Sequence, residues 1–257
     1  MSGFVSFAGG GIVGGGASVS NRGIRNDDYP LSGKINSRTI GGTDSKEFTF
    51  SVFFNVNNES ALEDDVALAI MGNEANGFLQ IGLNTITGQI IVVADYYGVR
   101  VLEFTVSTLF TKGIPQSLAI SIDMSDTAKR FVAVNGVISA ATWTVFSNSL
   151  LRFTNLSYAF AGQLLGNISD IYFAPDQYLD LSVPSNLAKL ITSRGYPADK
   201  GATGSLVTGT SPLVYLSRRD GEDISVFLEN KGTAGQTFAT TPFGAWVEDD
   251  APIKVSV

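Results

Sequence analysis

The chain has 257 residues, a formal net charge of −7, 44% hydrophobic and only 16% charged residues, and 28 glycines, which suits one large β-domain or a domain with an arm. It holds no cysteine and no histidine, which excludes disulfides, thiol nucleophiles, zinc–sulfur sites, Ser-His-Asp catalysis and imidazole metal sites. Lys and Arg are scattered, with nothing denser than pairs such as Lys129–Arg130 and Arg218–Arg219, so nucleic acid is not expected as a partner.

Residues 1–31 form a distinct first region. "GGGIVGGG" alone carries six glycines, and Phe4, Val5, Phe7, Ile12 and Val13 are spaced between them. Apolar anchors between glycine hinges predict an assembly arm that reaches a neighbouring subunit. The start lacks a charged n-region, so no secretory leader is read here. No stretch approaches the roughly 20 apolar residues of a membrane span, and none is expected.

From about Leu31 the pattern is β, and residues 32–257 read as a single domain with a C-terminal extension. In "EFTFSVFFNV" (47–56), Phe48, Phe50, Val52, Phe54 and Val56 share one face, with Thr49, Ser51 and Asn55 on the other. "VALAIM", "GFLQIGL", "GQIIVVAD" and "YGVRVLEFTV" follow, separated by turn residues. "SLAISIDM" (117–124) puts Leu118, Ile120, Ile122 and Met124 on one face. "RFVAVNGVISAATW" (130–143) predicts a hairpin, because Asn135-Gly136 supplies the positive φ of a two-residue turn.

One helix is predicted within 182–197, with Ser182 as N-cap, Pro184 near the first helical position and Gly195 closing it. Leu187, Leu190 and Ile191 form its apolar stripe. Strands are then predicted at 212–217, 224–230 and 236–241, with 244–249 as a weaker candidate. Many short strands with one late helix describe a two-sheet antiparallel sandwich.

The stretch "GNISDIYFAPDQYLDLS" (166–182) carries Asp170, Asp176 and Asp180. Strict alternation puts Ser169, Ile171 and Phe173 on one face and Ile168, Asp170, Tyr172 and Ala174 on the other. Asp176 and Asp180 fall beyond Pro175. The carboxylates therefore do not converge, and the stretch reads as a strand handing over to a capped helix.

The order of motifs, "SLAISID…RFVAVNG", then "GNISDIYFAPDQYLDLS", "NLAKLI", "GYPADKGATGSLVTGTSPLVYLS" and "FLENKGTAGQTF", resembles the laminin-G-like, concanavalin A-like jelly-roll domains of tailed-bacteriophage virion structural proteins. The resemblance runs from about Leu31 to Phe238. It implies an all-β jelly roll of two curved sheets. It further implies a virion location, other virion proteins as partners, and a homo-oligomer that decorates or builds a capsid, tail or fibre. The alternative it leaves open is a lectin-like module that attaches to host-surface glycans.

Three kinds of site bear on the function of such a sandwich. A glycoside hydrolase of this architecture would carry Glu-x-Asp-x-x-Glu on one strand, so that alternate carboxylates share a cleft; that spacing is absent, and no enzyme is expected. Calcium at a sheet rim would draw on Asp123, Asp126, Asp170, Asp176 and Asp180, but turn and capping duty explains them better, and no cofactor is required. Glycan binding needs an aromatic platform with polar neighbours. Tyr158, Trp143, Tyr178 and Trp246 are candidates, and "DYYGVR" is the strongest: Asp95, Tyr96, Tyr97 and Arg100 at a hairpin tip. Against it stands the ordinary alternative, one ring buried and one on the surface.

Overall fold

The computed structural model describes residues 24–26, 35–36, 39–57, 65–73, 77–154, 156–162, 164, 166–218, 222–240 and 246–248. The expected arm anchors Phe4, Val5, Phe7, Ile12 and Val13 lie outside them. The strands are β1 (Ile24–Asn26), β2 (Ile35–Asn36), β3 (Glu47–Val56), β4 (Asp65–Asn73), β5 (Gly77–Asn84), β6 (Gln89–Tyr96), β7 (Val99–Val106) and β8 (Gln116–Asp123). They continue with β9 (Arg130–Val134), β10 (Val137–Ser139), β11 (Ala141–Phe146), β12 (Tyr158–Gly162), β13 (Gly166–Ala174), β14 (Val214–Leu216), β15 (Ala239–Thr240) and β16 (Trp246–Glu248). Two short helices are α1 (Pro184–Leu187) and α2 (Ile224–Leu228).

The strands form two antiparallel sheets. One runs β10-β9-β8-β3-β13-β1-β16, with β14 also on β13; the other runs β11-β7-β6-β5-β4-β12-β2-β15. The alternating faces of β3 and β8 enter one core between the sheets, as the sequence predicts: Phe48, Phe50, Val52, Phe54 and Val56 meet Leu118, Ile120, Ile122 and Met124. Phe173 sits among the rings of Phe48, Phe153 and Tyr158, with centroids 5.3 to 6.5 Å away. Aromatic groups this well buried dominate the energetics of such a core.

The other face of the first sheet is covered as well. Leu179, Leu181, Leu187, Leu190, Ile191 and Val207 pack there on Ala119, Ala133, Tyr172 and Tyr215. The polar face of β3 is therefore buried too, and Thr49 finds partners there: it hydrogen-bonds Ser121 at 2.9 Å, and Ser121 Oγ accepts the Leu179 N–H at 2.8 Å, whereas Ser51 Oγ and Asn55 Oδ1 have no hydrogen-bond partner among the described residues. A buried hydroxyl left without a partner would cost stability.

Four local expectations change. The predicted helix is one turn long, with extended Val183 rather than Ser182 at its N-cap. Ser182 instead closes a turn on Asp180, donating to Oδ1 through both N–H and Oγ–H. The apolar stripe is real nonetheless, since Leu187, Leu190 and Ile191 are all buried against the sheet. Second, 224–230 is not a strand. Asp223 accepts the Ser225 N–H and caps α2, so a local side-chain bond outweighs the β-propensity of Ile, Val and Phe. Third, the 130–143 hairpin ends at Ser139, and β11 crosses to the second sheet beside β7.

Fourth, a bulge lies in β13 between Ser169 and Tyr172. Asp170 takes φ 51° there. The extra residue resets the alternation, so Ile168 joins Ile171 and Phe173 in the core instead of opposing them. Asp170 is held by an ion pair with Lys200, both side chains at most 1% exposed. Lys200 Nζ also donates to the Leu190 carbonyl at 3.2 Å. The pair ties the bulge to the layer that covers the sheet.

Candidate functional site

The β6–β7 turn is a two-residue turn with Tyr96 opposite Val99. Its two central residues are Tyr97 at φ 50° and Gly98 at φ 76°, both left-handed. Such a turn follows the twist of the strands and favours Asn-Gly or Gly-Gly, since residues bearing a Cβ are strained there. This chain nevertheless places a tyrosine in the first position, and Tyr97 is 58% exposed. Nothing lies within 4 Å of where a Gly98 Cβ would be, so the second turn position faces open space.

The ring is supported from two sides. Tyr96, packed against the core, meets Tyr97 edge-on with centroids 4.8 Å apart. The Arg152 guanidinium lies over the Tyr97 ring at 4.8 Å. Cation–π contact of this kind contributes on the order of 0.5–1 kcal/mol at an exposed site. Beside the rings, Arg100 pairs with Asp95 and with Glu103, the latter at 2.6 Å. Asp95, Tyr96, Tyr97 and Arg100 are thus brought together, with Glu103 and Arg152 added.

Arg152 owes its position to its neighbours. Phe153 is fully buried against Phe173, which turns the preceding side chain outward. Asp44 Oδ1 accepts the N–H groups of Phe153 and Thr154, each at 2.9 Å. Burial alone would raise the Asp44 pKa, but these hydrogen bonds and the Arg152 charge outweigh it and hold the carboxyl below its ordinary value. Gly77, at φ 114°, lets β5 pass under Arg152; a Cβ there would come within 3.1 Å of Arg152 Cβ.

The remaining aromatic candidates are placed differently. Tyr158 is 1% exposed, its hydroxyl donating to the Phe153 carbonyl, so it is core and not a platform. Trp143 stacks on Phe104 at 4.2 Å and lies under Arg130. Tyr178 is half-buried beside Lys129. The side chain of Trp246 lies outside the described residues.

The acidic residues that could serve calcium do not converge. Asp123 accepts from Ser125 and Lys129, Asp126 from the Ala128 N–H, Asp180 from Ser182, and Asp170 pairs with Lys200. Among the described residues no group of three or more His, Cys, Asp or Glu is placed to hold a metal ion. No helix among them is long and apolar enough to cross a membrane.

No protein-family model matches the chain, and no curated protein does. Solved structures do. A Bacteroides ovatus protein provisionally described as carbohydrate binding is 16% identical, with a TM-score of 0.53, over 93% of this chain and 62% of that one. A heptameric SAP-like pentraxin from Limulus polyphemus is 8% identical at TM-score 0.49, over 79% of this chain and 94% of that one. The CBM40 of a Ruminococcus gnavus sialidase, bound to sialyllactose, is 11% identical at TM-score 0.38, over 58% of this chain and 96% of that one. The fold, an all-β jelly roll of two antiparallel sheets, is one that this chain shares with the Bacteroides ovatus structure.

Proposed function

We propose that this chain is a non-catalytic carbohydrate-binding module whose contact point is the β6–β7 tip. The observation that carries the reading is Tyr97: a large ring held exposed, in a backbone conformation that disfavours it, between Tyr96 and Arg152. Backbone strain of about 1–3 kcal/mol persists where surrounding structure enforces it, and it clusters at functional sites. A tyrosine face takes the C–H face of a sugar ring, and the Asp95, Arg100 and Glu103 side chains offer acceptors and donors to its hydroxyls. Arg100 is already neutralised by its two carboxylates, so a neutral glycan fits this rim best. The carbohydrate-binding description of the Bacteroides ovatus protein supports the same class. The reading needs no cofactor.

A glycan array probed with the wild-type chain and with Tyr97→Ala tests this. Binding to a set of neutral glycans that the variant loses is expected. Wild-type signal at background, or equal signal from both proteins, would overturn it.

A second reading concerns where the module works. The motif order from Leu31 to Phe238 and the glycine-rich residues 1–31 favour a tailed-phage virion, with the arm on a neighbouring subunit of a homo-oligomer and the jelly roll presented to host-surface glycans. Mass spectrometry of purified particles tests the location, and deletion of residues 2–20 tests the arm. Absence from particles sinks the first idea, and undiminished incorporation sinks the second.

A further inference from the structure

Next to the tip, at the same end of the sandwich, is a cleft of about 430 Å³ that the tyrosine site does not use. Ligand pockets run from about 300 to 1,000 Å³, so this one suits a small ring. It lies where β13 ends and the chain returns to β14, walled by the 41–43 loop. Its floor is apolar, from Pro175 and Leu213, and its rim carries Thr43, Asp176, Thr210 and Ser211.

The rim is chemically open. The side-chain oxygens of Thr43, Asp176, Thr210 and Ser211 make no hydrogen bond within the chain among the described residues. Gln177, by contrast, is fixed: its carbonyl accepts from Thr49 Oγ1 at 2.7 Å and its side chain accepts from Thr208. Three hydroxyls and one carboxylate around an apolar floor match a polyhydroxylated ring, which presents C–H groups on its face and O–H groups on its edge. Among the described residues Asp176 is the only charged group in the lining, which again disfavours an acidic sugar.

The cleft and the tip are joined by one short segment. Arg152 lies over Tyr97, and the next residue, Phe153, presents its carbonyl to the 41–43 loop. A Cβ on Gly42 would stand 2.6 Å from that carbonyl oxygen, so only glycine lets the loop close against the segment. Two consecutive residues, with Cα atoms about 3.8 Å apart, thus touch the tip on one side and the wall of the cleft on the other. A chain of linked sugar rings can follow that segment.

Building on the tyrosine-tip reading, we infer that the cleft is a second subsite for the same glycan, and that the ligand is an oligosaccharide running from Tyr97 over Arg152 into the cleft. The test is amide chemical-shift mapping of the full chain with glucose, N-acetylglucosamine and their 1,4-linked oligomers from dimer to hexamer. Long oligomers of at least one series should shift the amides of both Gly98 and Val99 at the tip and Thr43 and Ser211 in the cleft. Asp176→Asn should weaken the longest binding oligomer severalfold and leave the tip response to short ones unchanged. If the tip responds to every length and the cleft to none, or if Asp176→Asn changes nothing, the subsite is wrong and the tyrosine reading stands. If neither place responds to any sugar, the tyrosine reading fails and the subsite with it.

Discussion

The β9–β10 and β6–β7 turns have the same backbone and different first residues. Asn135-Gly136 sits at φ 52° and 78°, Tyr97-Gly98 at φ 50° and 76°. Asn135 suits its place: it tolerates the left-handed region, and its Oδ1 accepts the Ser117 N–H at 3.0 Å. Gly136 packs against Thr192, where a Cβ would stand 2.9 Å from the carbonyl oxygen, so this turn is docked onto the body. The other turn has nothing within 4 Å of where a Gly98 Cβ would stand, carries the less suitable residue, and leaves its ring 58% exposed beside Tyr96 and Arg152. One turn is explained by folding alone; the other holds out a ring that a ligand would explain.

That contrast can be broken in order of effect. The largest change should come from a feature that is structural by the same criterion, the buried Asp170–Lys200 pair. Lys200→Met takes the paired ammonium from a buried carboxylate and should cost about 3–5 kcal/mol in urea denaturation, while the folded protein keeps its glycan binding. Burial pushes the Asp170 pKa up, and Lys200 opposes this. A raised folded pKa gives stability that is present at low pH and lost as pH rises through it. The variant should therefore recover part of its loss on acidification; an unchanged deficit at low pH would contradict the account. Next, Asn135→Tyr copies the tip's residue onto the docked turn. It should destabilise by about 2 kcal/mol through strain and a lost hydrogen bond, and leave binding unchanged. A neutral effect on stability would remove the distinction between the turns.

The smallest effect concerns the support of Arg152. Asp44→Asn keeps the shape but weakens the acceptor for Phe153 and Thr154, and should reduce affinity severalfold without loss of fold. Because the Asp44 pKa is depressed, its contribution is present above the ordinary carboxylate value of 3.8 and is lost as pH falls through the depressed one. Binding by the wild type should weaken over that acid range, measured by titration calorimetry. The Asp44→Asn variant should lack that acid step.

The comparison also marks what could be read along the chain. Strand periodicity revealed the sandwich, because apolar residues recur at every second position from Phe48 to Val56 and from Leu118 to Met124, even though Phe53 interrupts the polar face of the first. Both turns were legible as well, from Asn-Gly and from a Tyr-Gly between strand formers. Periodicity failed at Asp170, since a bulge adds a residue without changing composition. It failed at 224–230, where one aspartate cap decided between helix and strand. At the site, Asp95 to Arg100 are contiguous and so could be found together. Arg152 and Asp44 reach the tip through tertiary contacts, and the only local hint was a lone arginine between Leu151 and Phe153. The cleft draws on four separate segments and left no contiguous signature.

The central claim is that Tyr97 is there for a ligand and at a cost to the fold. Tyr97→Asn tests both halves at once, because asparagine suits this turn position and lacks the ring. Titration of the strongest glycan from the array, with urea denaturation of the same samples, should show affinity lower by roughly tenfold or more and stability higher by about 1 kcal/mol. Unchanged affinity, or affinity and stability falling together, would contradict it.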